Sequence, residues 1–304
     1  MASSVLSNIS QELAALAERV GPSVVAVQGL HRFASSGVLW RKNVVVTAAH
    51  TVAREQDTIV LLHQGKRVKA KLAGRDPGTD IAALRIEEDT SGPLSELGDS
   101  SAAKLGNLVL ALARSRRGSV VASAGIIGGL SGEWRTWRGG RLDQNIRLDL
   151  ALYSGFSGGA LVGAEGKVLG MNTSGLDRGR AVTIPVSTVN RVLDELLEKG
   201  HIARPYLGIA MQPVAIPEGL RSKLKSSPSG GLMVLHVEPG GPADTAGIVL
   251  GDVIVELQGK PVLDTENMMD LLASTRVGDA VNATLIRAGN PVEISIKAGE
   301  RPTR

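Results

Sequence analysis

The sequence predicts a mostly β chain of two domains, a strand-built sandwich or barrel followed by a small α+β domain. Three observations carry this. At 304 residues the chain is about twice the length of an ordinary domain of ~150 residues. From Ser23 to Pro185, short runs rich in Val, Ile and Leu follow one another between turn residues, without helices between them. Beyond Gly200, strands alternate with short helices instead.

Taken in order, residues 1–22 form an amino-terminal helical segment. Leu13, Leu16 and Val20 share one face of a helix over Ser10 to Val20, and Gly21-Pro22 stops it. Residues 23–186 form the first domain. Its strands run over Ser23–Val27, Gly37–Trp40, Val44–Ala48, Thr58–Leu62, Lys66–Leu72 and Ile81–Ile86. A second set covers Asn107–Leu112, Val120–Ile127, Asn145–Leu150, Gly159–Val162, Val168–Asn172 and Ala181–Pro185. Residues 187–204 hold a linking helix, in which Ser187 is a cap, Val189, Val192, Leu193, Leu196 and Leu197 recur at helical spacing, and Gly200 is a stop. Residues 205–300 form the second domain. Its strands are Tyr206–Met211, Leu232–Val237, Val253–Leu257, Ala280–Arg287 and Pro291–Lys297, with short helices near Glu218–Leu224, Pro242–Ala246 and Thr265–Ser274.

Composition narrows the chemistry. Apolar residues are 43% and charged residues 21% of the chain, values of a folded globular protein. The absence of cysteine removes disulfides, cysteine-zinc sites and thiol nucleophiles, and no metal or other cofactor is expected. Lys and Arg exceed Asp and Glu by 34 − 30 = 4, too small a bias to argue for nucleic acid. The longest uncharged stretches, Gly118–Gly132 and Leu150–Ala164, contain Ser and many Gly and fall short of the ~20 apolar residues of a membrane span. Met1-Ala2-Ser3-Ser4 opens no basic-then-apolar signal, so the chain as encoded reads as cytoplasmic, or as periplasmic if a leader has been removed.

The sharpest local signal is Gly155-Phe156-Ser157-Gly158-Gly159. A serine between glycines suits a tight turn whose backbone N–H groups converge on one point, as an oxyanion requires. Alone it reads equally well as a glycine-rich turn. Its possible partners add weight. The Ser, Asp, His order of α/β-hydrolases needs an alternating β/α scaffold that is missing here, and subtilisin order needs an Asp before His50, where none occurs. The order His50, Asp80, Ser157 is that of chymotrypsin. His50 leaves the apolar run Val44–Ala49, and Asp80 opens the strand Ile81–Ile86, where a carboxylate can be buried against an imidazole. The other histidines, His31, His63, His201 and His236, read as packed or solvated side chains.

Thr47-Ala48-Ala49-His50, Asp80-Ile81-Ala82-Ala83-Leu84 and Ser157-Gly158-Gly159-Ala160-Leu161 together resemble the catalytic segments of HtrA/Deg-type serine proteases. The resemblance runs from about Ser23 to Lys297. It implies a chymotrypsin-like double β-barrel followed by a PDZ domain. It also implies that Ser157 is the nucleophile, His50 the general base and Asp80 its orienting carboxylate. The N–H groups of Gly155 and Ser157 would form the oxyanion hole, and Asn172, Thr173 and Ser174, with the loop through Asp177, Arg178 and Arg180, would wall the substrate pocket. Two residues depart from the pattern: Phe156 stands where the family usually has Asn, and Ser154 where it usually has Pro.

Tyr206-Leu207-Gly208-Ile209 resembles the carboxylate-binding loop of that PDZ module, and Met268, Met269, Leu271 and Leu272 fall on the helix expected to line its groove. Apolar residues at this spacing are equally a core stripe. Arg114–Arg117 is a basic cluster, and Trp134–Arg138, with Arg141 nearby, sets basic residues beside aromatics. The second cluster lies where the family has a mobile activation loop. The resemblance implies an ATP-independent endopeptidase acting on unfolded or misfolded proteins, with peptide carboxyl termini or apolar segments bound by the PDZ domain, no nucleic acid and a homo-oligomer. The family's trimer contacts use aromatic residues near the amino terminus, where only Phe33 and Trp40 are available. A non-catalytic peptide-binding scaffold or chaperone is the alternative that Phe156 and Ser154 leave open.

Overall fold

A computed structural model describes residues 4–28, 35–52, 58–88, 92–177, 180–224, 229–273 and 275–300. His31, Phe33, Arg178 and Ser274 lie outside the described residues. The chain forms two compact units, residues 1–202 and 203–304.

The first unit opens with α1 (Val5–Val20), longer than the apolar stripe alone suggested, because the Ser4 side chain caps it by accepting from the Ser7 N–H. The strands β1 (Val24–Gln28), β2 (Ser35–Arg41), β3 (Val44–Ala48), β4 (Thr58–Leu61), β5 (Arg67–Asp76) and β6 (Ile81–Ile86) follow. They close into a barrel in the order β1-β2-β3-β6-β5-β4. Next come β7 (Leu108–Arg114), β8 (Val120–Ser131), the short pair β9 (Trp134–Arg135) and β10 (Arg141–Leu142), β11 (Asn145–Asp149), β12 (Ala160–Gly163), β13 (Val168–Thr173) and β14 (Val182–Pro185). Of these, β11-β14-β13-β12-β7-β8 close a second barrel, while β9 and β10 form a separate hairpin.

The period of two sorts the apolar residues. Val25 and Val27 of β1, with Leu39, Val45, Val60 and Leu84, fill the first barrel. Their neighbours Val24, Val38, Val44 and Val46 face a larger core shared with Leu110, Leu112, Ala160 and Ile184 of the second barrel. Strands buried on both faces explain why their sequences read as continuous apolar runs.

Helix α2 (Val186–Lys199) adds Val189, Val192, Leu193 and Leu196 to that shared core and ends at Gly200 in the left-handed conformation. The segment expected as a link therefore packs as part of the first unit. Its N-cap position is Pro185, because the helix already begins at Val186 and takes Ser187 into its first turn.

The second unit holds β15 (Pro205–Tyr206), β16 (Ile209–Ala215), α3 (Glu218–Arg221), β17 (Gly230–Val237), α4 (Pro242–Thr245) and β18 (Val253–Leu257). After these come β19 (Lys260–Pro261), α5 (Thr265–Ala273), β20 (Ala280–Arg287), β21 (Asn290–Lys297) and β22 (Gly299–Glu300). The main sheet runs β16-β17-β18-β20-β21, so β16 is an edge strand. Leu232, Val234, Ile254, Val281 and Leu285 form its core beneath α5. Among the described residues no helix is long and apolar enough to cross a membrane.

Candidate active site

His50 follows β3 in a single 3₁₀ turn, Asp80 ends the turn that leads into β6, and Ser157 precedes β12. Pairing of β3 with β6, Ala48 opposite Ile81, sets the His50 and Asp80 segments side by side. His50 Nδ1 lies 2.8 Å from Asp80 Oδ2 and 3.0 Å from Oδ1. The His50 backbone N–H donates to Oδ1 at 2.9 Å, and the Thr173 hydroxyl donates to Oδ2 at 2.5 Å. Asp80 is 2% exposed, whereas the His50 side chain is 34% exposed. A buried carboxylate met by three donors is satisfied. A proton on Nδ1 toward the carboxylate leaves Nε2 as the acceptor. A Cβ at Gly175 would lie 2.7 Å from His50 Nδ1, so glycine is what lets the chain after Thr173 pass over the pair.

Before Asp80, the Asp76 carboxylate accepts from the N–H groups of Gly78 and Thr79 and from the Thr79 hydroxyl at 2.8–3.1 Å. The β9–β10 hairpin grips the same turn, because the Thr136 hydroxyl donates to the Gly78 carbonyl at 2.7 Å. At the hairpin's tip Trp137 is 71% exposed and carries the Arg138 guanidinium 4.5 Å from its ring centroid. Arg114, in the other basic cluster, is no surface cation. It is buried and donates to the carbonyls of Gly21, Val24 and Gly118.

The turn carrying Ser157 is anchored by Phe156, one of the two residues that depart from the expected pattern. Phe156 is buried among Val109, Ala111, Ile127, Ile146 and Leu161 inside the second barrel, and the Tyr153 ring packs edge-on against it at 6.0 Å. The Phe156 N–H donates to the Tyr153 carbonyl, the Gly158 N–H to that of Asn172 and the Gly159 N–H to that of Phe156, at 2.8–3.0 Å. Gly158 has φ +88°, and a Cβ there would be 2.0 Å from the Ser36 carbonyl oxygen. Among the described residues, the N–H groups of Gly155 and Ser157 donate to no protein acceptor. Ser157 Oγ lies 3.2 Å from Ser174 Oγ and accepts from the Ser174 N–H at 3.3 Å. It shares no hydrogen bond with His50.

Two of the residues expected to wall the pocket have their side chains engaged within the fold. The Asn172 side chain donates to the Ala160 carbonyl and accepts from the Thr183 hydroxyl, and that of Thr173 serves Asp80. Both are fully buried within the fold, and of the three only Ser174 meets Ser157. Ser36, absent from the sequence reading, proves to be a neighbour of the nucleophile turn: its N–H donates to the Ser157 carbonyl at 3.0 Å and its hydroxyl to the Gly155 carbonyl at 2.7 Å.

In the second unit, the Leu207 and Gly208 carbonyls accept from the N–H groups of Ala243 and Glu238. Their own N–H groups donate to no acceptor among the described residues. Gly208 has φ +78°, and Tyr206 pairs with Gly299 on one side while Ile209 opens the edge strand β16 on the other. The helix residues are corrected: Met268 and Leu272, expected in the groove, pack in the core with Leu207, whereas Met269 is 46% exposed. The apolar side of α5 covers the sheet. Among the described residues no cluster of side chains could hold a metal ion.

The trypsin-like peptidase domain family matches residues 35–171, and the PDZ domain family matches residues 205–298. The chain is 38% identical over 281 residues to a serine protease Do-like HtrA of Lactobacillus helveticus, covering 86% of this chain and 67% of that protein. It is 31% identical to a probable periplasmic serine endoprotease, DegP-like, of Rhizobium meliloti, covering 85% of this chain but only 51% of that protein. The solved serine endoprotease of Yersinia pestis superposes with a TM-score of 0.75 at 28% identity, covering 95% of this chain and 98% of that one. The HtrA-type protease AlgW with a decapeptide gives 0.73 at 26% identity, covering 96% and 99%. With two closed barrels, a His–Asp pair beside a glycine-framed serine, and an appended sheet domain, the chain belongs to the HtrA-type serine proteases, a trypsin-like domain followed by a PDZ domain.

Proposed function

We propose that this chain is an ATP-independent endopeptidase that cuts unfolded or misfolded polypeptides at a site made by Ser157, His50 and Asp80. The observation that carries the reading is the His50–Asp80 pair set beside a serine whose turn leaves two N–H groups free. Ser157 Oγ attacks the scissile carbonyl, His50 Nε2 accepts its proton and returns it to the leaving amine, and Asp80 stabilises the imidazolium. The N–H groups of Gly155 and Ser157 donate to the oxyanion. For attack, Ser157 Oγ leaves Ser174 for Nε2, a tightening common when a free site takes up substrate. The buried Phe156 favours this reading over a non-catalytic scaffold, since it anchors the turn.

In the second unit, the free N–H groups of Leu207 and Gly208 receive a peptide's terminal carboxylate, and the peptide adds to the edge of β16. A homo-oligomer, a trimer by family likeness, is part of the same reading. The Rhizobium relative is named periplasmic, and a chain without cysteine suits an oxidising or a reducing compartment alike.

The test is digestion of unfolded casein by the wild type and Ser157→Ala, with fluorophosphonate labelling in the presence and absence of peptides bearing free carboxyl termini. Digestion and labelling by the wild type alone are expected. Equal digestion by both proteins, or a wild type that is never labelled, sinks the reading.

A further inference from the structure

We propose that Ser36 is a positioning residue for the oxyanion hole, clamping the nucleophile turn from the opposite barrel. This deepens the functional reading above and rests on Ser157 being the nucleophile.

Ser36 lies in β2 of the first barrel and is fully buried. It grips the turn at two points, one on either side of Phe156. Its N–H donates to the Ser157 carbonyl and its hydroxyl to the Gly155 carbonyl at 2.7 Å. The clamp is itself held. The Ser36 hydroxyl accepts from the Arg114 N–H at 2.9 Å, and its carbonyl accepts from the Thr47 hydroxyl at 2.6 Å. A hydroxyl that donates once along a fixed direction and accepts from a strand N–H has no free rotation left.

The consequence follows peptide by peptide. The Gly155–Phe156 peptide is tied at its oxygen by Ser36 and at its nitrogen by Tyr153. The Ser157–Gly158 peptide is tied by Ser36 and Asn172, and the Phe156 oxygen accepts from Gly159. Only the Ser154–Gly155 peptide makes no hydrogen bond among the described residues, and it carries one of the two proposed oxyanion donors. Its direction is set through the rotations about Gly155, the residue whose carbonyl Ser36 holds. Glycine resists those rotations less than any other residue, so an external hold on its carbonyl supplies the order that its backbone lacks. Preorganised donors are what make an oxyanion hole effective.

The same strand supplies a control. Ser35 is also buried, but its hydroxyl has no hydrogen-bond partner, so Ser35→Ala removes an equal group without touching the turn. The experiment compares steady-state peptide hydrolysis and fluorophosphonate labelling of the wild type, Ser36→Ala and Ser35→Ala in the full chain, with thermal unfolding of each. Ser36→Ala is expected to lose about 10- to 100-fold in kcat, less than the ~10²–10³ for deleting a donor outright, with KM within about threefold and labelling slowed in parallel. Ser35→Ala is expected to stay within about twofold of the wild type, as a hydroxyl bonded to nothing should. A kcat for Ser36→Ala within twofold of the wild type, or an equal loss in Ser35→Ala, overturns the proposal. Should Ser36→Ala not fold, Ser36→Cys carries the same test, since its thiol fills the site but donates weakly; unchanged kcat there overturns it equally. A wild type that is neither labelled nor active fails the functional reading itself, whereas an active wild type with an unaffected Ser36→Ala fails this proposal alone.

Discussion

His50 is bound to Asp80 through both its ring and its backbone: Nδ1 lies 2.8 Å from Oδ2, and the His50 N–H donates to Oδ1 at 2.9 Å. Together with the Thr173 hydroxyl, every group facing the carboxylate is a donor. Asp80→Asn puts an NH₂ among them and favours the wrong imidazole tautomer. In serine proteases of chymotrypsin type that change costs about 10⁴ in kcat. The same order of loss is expected here in initial rates of peptide hydrolysis, with the fold intact. A loss below tenfold would remove Asp80 from the mechanism.

Phe156 holds the nucleophile turn by filling the second barrel. Phe156→Ala is expected to cost about 3–5 kcal/mol, the usual toll for emptying a buried aromatic site. All three tryptophans, Trp40, Trp134 and Trp137, belong to the first unit. Tryptophan fluorescence during denaturant unfolding of the full chain therefore reads this loss directly. An unchanged unfolding midpoint would show that the ring does not anchor the turn.

The order of His50, Asp80 and Ser157 and the strand-rich texture of each barrel were legible in the sequence because each is local: a motif of a few residues, or an apolar run between turns. What joined them was not. Ser36 meets Gly155 across 119 residues and Thr136 meets Gly78 across 58, and serine or threonine within an ordinary strand or loop carries no mark of such a partner. Met268 and Leu272 show the other limit. Their four-residue spacing places them on one face of a helix, but a core face and a groove face are both apolar, and only the packed sheet assigns them to the core. Phe156 looked like a defect in a polar motif, and its burial makes it an anchor.

Arg114 at the end of β7 ties the second barrel to the first by donating to the Val24 carbonyl of β1 and to that of Gly21 just before it, and it holds its own β7–β8 turn through the Gly118 carbonyl. Burial lowers its pKa below arginine's ordinary value, and its forked head reaches all three acceptors at once. A lysine offers one compact ammonium in place of the planar fork. Arg114→Lys cannot reach all three acceptors, and a buried carbonyl left unsatisfied costs about 1–3 kcal/mol, although the Gly21 carbonyl keeps its bond from the Val24 N–H; a loss of about 2 kcal/mol is expected by tryptophan fluorescence. A change below 1 kcal/mol would mean that the bonds to Gly21 and Val24 do not hold the barrels together.

Asp143 joins the end of the β9–β10 hairpin to the start of α2. Its N–H donates to the Thr188 hydroxyl at 2.8 Å, and its carboxylate meets Arg191 at 3.0 Å and Arg141 at 4.0 Å. Partial burial would raise its pKa, but the Ser187 hydroxyl and the charges of Arg191 and Arg141 outweigh it and hold the pKa below the ordinary 3.8. A carboxyl whose folded pKa is depressed stabilises the fold above its unfolded pKa and loses that contribution as pH falls through the folded one. The contribution is therefore full above about pH 5, declines from about pH 4 downward, and is gone once the folded group is protonated. With arginines so exposed it amounts to only about 0.5 kcal/mol. Asp143→Asn should thus be less stable than the wild type at pH 7 and converge on it toward pH 3. A difference that stayed constant across that range would assign the loss to the amide's altered hydrogen bonding and not to the carboxylate's charge.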